Sequence, residues 1–267
     1  MANINNTLYH MGLLDDLAKK QTSIHRIHPL IKLLTTGVYL FMIVSFDRYE
    51  IGRLIPFFFY PILLIVFAEI PIVPILKRVL LVEPLIIGIG ILNPLFDHHT
   101  ITLGDLEISR GWITFLAIFI KCGLTIVVSL LLVATTGMDK LAASLRMIKV
   151  PKIFVLQLLL TYRYVTVLIE EVSRMTRAYS LRSPGTRGIH YTAWGSFAGQ
   201  LLLRTFDRAQ HVYQAMILRG FAGEYHTGSI PKINRKDITY LSVWVLFFII
   251  SRMINLPMWI GSVLTGG

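Results

Sequence analysis

Two short segments place the same chemistry at matched positions. In "RAYSLRS" Ala178 precedes Arg182 by four residues, and in "QAMILRGF" Ala215 precedes Arg219 by four. A four-residue step is about one helical turn, so each alanine and its arginine share a helix face. The small residue lets another surface come close. The guanidinium one turn further on offers a planar five-donor fork to a carboxylate or a carbonyl. Leu181 corresponds to Leu218, Met175 to Val212 and Ser183 to Gly220. Glycine just past a helix permits the tight ending that exposes a last turn. A single arginine there is ordinary, because the helix dipole favours it. Two matched copies in one basic region predict docking, either on a protein partner or on phospholipid headgroups.

Other reactive side chains form weaker patterns. His98 and His99 near Asp97 and Asp105 supply donors suited to a divalent cation, but they lie in a polar loop without rigid ligand spacing. Solvation is the ordinary reading of such residues. "GTRG" lacks the Lys-Ser/Thr ending of a phosphate loop, so the chain is expected to hold no ATP, metal or other cofactor. Ser173, Ser180 and His211 suggest no nucleophile–base pair. An enzyme is not expected. Lys121, inside a long apolar run, must face protein, a polar cavity or a carboxylate, with Glu83 and Asp97 as candidate partners.

The elements that position these groups belong in a bilayer. Of 267 residues, 54% are hydrophobic and 15% charged, and the apolar residues fall in blocks. Five spans are predicted: 30–46, 54–68 with a kink from Pro56 and Pro61, an irregular 79–96 containing Glu83-Pro84 and Asn93-Pro94, 112–135 and 240–254. Leu13, Leu14 and Leu17 suit a short interfacial helix or a soluble cap. The single Cys122 reads as a small buried hydrophobe. The net charge of +11 fits anionic lipid and topology set by basic loops, and no nucleic-acid-binding pattern accompanies it. Residues 136–236 carry most of the basic excess, which places them and the N-terminus in the cytoplasm.

Within that region, 154–181 and 193–218 repeat apolar residues at helical spacing, with Arg163, Glu170, Glu171, Arg174 and Arg177 set into the first helix. Glu170 and Arg174, four apart, are expected to pair. The predicted fold is all-α: a membrane bundle over 1–135, a coupling region of two long amphipathic helices over 136–236, and a C-terminal membrane helix over 237–267.

The stretches "HRIHPLIKLL", "MDKLAASLRMIKVPKIFVLQLLLTYRYVTVLIEEVSRMTRAYSLRS" and "AMILRGF" resemble the transmembrane T-component of energy-coupling-factor transporters, in particular the cobalt/nickel branch. In that family two Ala-Arg-Gly motifs tip the cytoplasmic coupling helices. The resemblance carries the arginines to Arg182 and Arg219 and the second glycine to Gly220. Leu181 and Leu218 stand where the motif has alanine, and Ser183 replaces the first glycine. Arg163 and Glu171 match the helix pattern. The resemblance implies two cytoplasmic ATPases that bind ATP and Mg²⁺, a membrane-embedded subunit that captures Co²⁺ or Ni²⁺, a small accessory membrane subunit, and a bacterial or archaeal cell membrane. The readings set against it are a self-contained secondary transporter, with substrate at a broken 83–93 segment and gating by Lys121, and a nonenzymatic scaffold.

Overall fold

The computed structural model describes residues 16–47, 51–92, 94, 100–103, 106–183, 188–223 and 232–253. The chain forms two compact units, Leu17–Gly137 with Pro231–Gly267, and Met1–Asp16 with Met138–Ile230.

In the first unit, α1 is Pro29–Val44, a 3₁₀ segment Ile51–Phe58 runs into α2, Phe59–Ala68, and α3 is Ile72–Gly90. The hairpin strands β1, Thr100–Leu103, and β2, Leu106–Ser109, lead to α4, Arg110–Thr136, and α8, Arg235–Met253, closes the unit. The hairpin, which pairs Thr100 with Ser109 and Leu103 with Leu106, is a small exception to the all-α expectation.

Helix starts follow from local chemistry. Pro29 opens α1, where its missing N–H costs no bond, and His28 caps it by accepting Leu30 N–H on Nδ1 at 3.2 Å. Asp237 then serves two helices with one buried carboxylate. Oδ1 accepts His28 N–H at 3.0 Å, and Oδ2 accepts Asn234 N–H at 2.8 Å, the return bond of a capping box at the start of α8. Tyr39, Phe57, Tyr60 and Phe248 are fully buried and pack tilted, edge-on or stacked at 5.0–5.8 Å, and Tyr39 Oη donates to Phe57 O at 3.0 Å.

Two lysines cap the ends of antiparallel neighbours. Lys32 of α1 is 4% exposed and donates to Thr135 O at the end of α4, 2.9 Å away. Lys121 of α4 donates to Phe46 O at 2.6 Å and Asp47 O at 3.3 Å, just past α1. Both lysines thereby meet the negative end of the other helix. Of the expected carboxylate partners of Lys121, Glu83 lies beside Gly123, and Asp97 falls outside the described residues.

Three span expectations also change. The 79–96 run is not broken at Glu83-Pro84, because α3 starts earlier and continues through Pro84 to Gly90. It packs on α4 so closely that a Cβ on Gly90 would fall 2.8 Å from the Phe115 ring. The kink predicted from Pro56 and Pro61 becomes a change from 3₁₀ to α-helix, with Pro61 in the first turn of α2. Among the described residues three helical stretches, rather than five, are long and apolar enough to cross a bilayer: Ile51–Ala68, Arg110–Thr136 and Lys152–Arg182. The helix Pro29–Val44 is apolar but shorter. α3 contains Lys77, Arg78 and Glu83, while α8 begins Arg235-Lys236-Asp237 and carries Arg252 in its last turn. Those charges leave each helix an uncharged run shorter than a full bilayer crossing.

The second unit contains α5, Met138–Met147, α6, Lys152–Arg182, a 3₁₀ turn Tyr191–Ala193 and α7, Trp194–Leu218. A small core of Ala142, Val155 and Leu159, flanked by Leu145, Val150 and Leu158, holds α5 on the start of α6.

Candidate functional site

The described part of the second unit has a thin core for the length of its helices. α6 buries Val155, Leu156, Leu159 and Met175, and α7 buries none of its 25 residues. Leu203, Phe206, Tyr213 and Ile217 follow one another at helical spacing along one side of α7, and all are exposed. Such a stripe requires lipid or a partner to cover it.

The two matched segments lie at the ends of the long helices. Ala178 and Arg182 are exposed on the last turn of α6, and Ala215, Arg219 and Gly220 are exposed at the end of α7. Leu181 is 78% exposed and Leu218 88%, so a bare leucine accompanies each arginine. A guanidinium beside an uncovered apolar side chain can anchor a groove that offers both a carboxylate and an apolar floor.

The two ends close differently. Gly220 has φ +79°, its N–H bonds Ile217 O at 2.9 Å, and Phe221 N–H bonds Met216 O at 3.0 Å. This is a Schellman ending, which the glycine makes possible. At the first tip Ser183 has φ −126°, and its N–H bonds Tyr179 O at 3.0 Å. Ser183, at the position that matches Gly220, thus does not take the left-handed turn. Beyond it, His190 N–H donates to Tyr179 Oη at 3.3 Å. Gly185 and Arg187 lie outside the described residues, as do His98, His99, Asp97 and Asp105.

Ion pairing departs from the expected i,i+4 pattern. Arg174 pairs with Glu171 at 2.9 Å, three residues away, instead of with Glu170. The other Glu171 oxygen receives Arg204 of α7. Sequence spacing had no means of revealing Arg204, which lies 33 positions from Glu171. Arg163 is exposed on α6 and stands apart from both tips. Lys121 belongs to the first unit, where it caps backbone carbonyls. Among the described residues no group of three or more His, Cys, Asp or Glu is arranged to hold a metal ion.

Long apolar helices define a membrane protein. A family model described as CbiQ, cobalt transport protein, matches residues 20–229. The chain belongs to the CbiQ family, the T-components of energy-coupling-factor transporters, and is a non-catalytic membrane subunit of the cobalt/nickel import class. Two uncharacterized proteins of Methanocaldococcus jannaschii are similar. One is 28% identical over 90% of this chain and 92% of its own length. The other is 26% identical over 77% and 74%. The nickel permease LarQ of Lactiplantibacillus plantarum is 28% identical over 42% of this chain and 43% of its own length.

Proposed function

We propose that this chain couples two cytoplasmic ATPase subunits to a separate membrane subunit that captures Co²⁺ or Ni²⁺, with a small accessory membrane subunit completing the importer. The supporting observation is the pair of tips, Leu181-Arg182 and Leu218-Arg219, in which an exposed leucine and an exposed arginine end each long helix. Each ATPase receives one tip. ATP and Mg²⁺ act on those partners, and closure of the ATPase pair moves the tips. Residues 136–236 form the coupling region, and α6 and α7 are its coupling helices. The polar half of α6 from Glu170 onward, α7 and the N-terminus face the cytoplasm, in keeping with the basic excess there. Metal capture stays with the partner. The self-contained carrier loses support from the continuity of α3 through Pro84, since that reading needs unwound backbone around a substrate.

The test replaces Arg182 and Arg219 with Glu, singly and together, in the assembled complex. Retention of the ATPase subunits and ATP-driven Co²⁺ and Ni²⁺ uptake are then measured. Reversed charge at both tips should abolish uptake, through lost retention or lost coupling. Full assembly with undiminished uptake in the double variant would refute the reading.

A further inference from the structure

The crossing of α6 and α7 is lightly packed, with apolar side chains such as Leu201, Val212 and Met216 only half-buried. α7 buries no residue, and past Leu159 the only buried residue of α6 is Met175. A polar tie adds to that thin packing. The Glu171 carboxylate, 17% exposed, lies beneath two guanidiniums, Arg174 of its own helix and Arg204 of α7. Arg174 is a local i,i+3 partner and cannot join the helices. Arg204 does join them, through a charge-assisted bond between Nη1 and Oε1.

The position of this tie relative to the tips suggests its use. Arg182 lies eleven residues beyond Glu171, about 16 Å along the helix, and Arg219 lies fifteen beyond Arg204, about 22 Å. A push at either tip therefore acts on a long arm. Two helices without a common fixed point would tilt independently, and the displacement delivered to the membrane would shrink.

The geometry assigns Glu171 and Arg204 as positioning residues: their ion pair is the fulcrum that makes the two coupling helices move as one. This rests on the tip reading above. It names how the movement is shared between the tips. Loss of the pair leaves both tips in place, so the expected defect is ATP hydrolysis with poor uptake, not loss of the ATPases.

The experiment uses the complete complex, reconstituted in lipid vesicles, with Glu171→Gln, Arg204→Gln and the double substitution. Arg208→Gln serves as a charge-matched control, since Arg208 is exposed on α7 one turn beyond Arg204. Metal ions imported per ATP hydrolysed should fall about threefold in each single variant, with the ATPases retained. The double variant should be no worse than the weaker single, because both substitutions remove one bond. The control should match wild type. A second readout is independent of transport. With Cys122 replaced by Ala, spin labels at Thr161 and Gln210 report the helix-to-helix distance, which should broaden in both single variants and not in the control.

Wild-type stoichiometry and an unchanged distance in both single variants would overturn the fulcrum, as would additive losses in the double variant. If Glu171→Gln weakens assembly, Arg204→Lys against Arg204→Gln decides: the charge-retaining variant should keep the stoichiometry and the narrow distance. The two readings fail separately. Undiminished uptake in the Arg182/Arg219 double variant removes the tip reading, while the label distance still tests the tie.

Discussion

Asp237 offers the sharpest test of how the first unit is held. Its carboxylate accepts His28 N–H at 3.0 Å and Asn234 N–H at 2.8 Å, so one buried charge satisfies the N-terminal ends of α1 and α8. A hydrogen bond to a charged group contributes about 1.5–3 kcal/mol, and a buried donor left bare loses its full solvation. Both helix dipoles also favour the negative charge at that point. Asp237→Ala leaves two donors unpaired, and because one carboxylate serves both, the loss should be about 3 kcal/mol or somewhat more. Asp237→Asn keeps one acceptor oxygen but turns its amide N–H₂ toward the other donor, so about half that loss is expected. Unfolding in mixed detergent–dodecyl sulfate micelles, followed by circular dichroism, would measure both. An alanine variant within about 0.5 kcal/mol of wild type, or an asparagine variant as damaged as alanine, would refute the double-cap argument.

Two left-handed positions should respond in opposite directions. Gly220→Ala places a side chain at φ +79° and should destabilise the tip by about 1–2 kcal/mol, read as faster amide exchange at 216–221. Lys149, at φ +66° after α5, is already such a side chain, and Lys149→Gly should raise thermal stability by about 1 kcal/mol. Lys121→Met removes the ammonium that caps Phe46 O and should lower stability by about 1.5–3 kcal/mol, while the import ratio of the surviving complex stays at wild type. A changed ratio at full stability would instead favour a gating role.

The clearest readings in the sequence were those whose causes are local. Apolar blocks announce membrane helices because the bilayer demands about twenty apolar residues in succession. An alanine and an arginine four apart, followed by glycine, announce a helix end because 3.6 residues complete a turn. Span number was less legible, since Lys152–Arg182 keeps its charges mostly in its second half, and α3 and α8 carry charges that a reading of apolar runs alone had bounded off.

Local rules by themselves determined the helical character of this protein, its place in a membrane and its two arginine tips, Arg182 and Arg219. Only the tertiary structure decided that Asp237 caps a helix whose N-cap, His28, lies 209 positions earlier, that Lys121 answers backbone carbonyls, and that Glu171 reaches across to Arg204. The reason is physical. A carbonyl is present at every residue and marks no position, and a charge chooses among partners by distance in space, which chain spacing predicts only within a turn or two of the same helix.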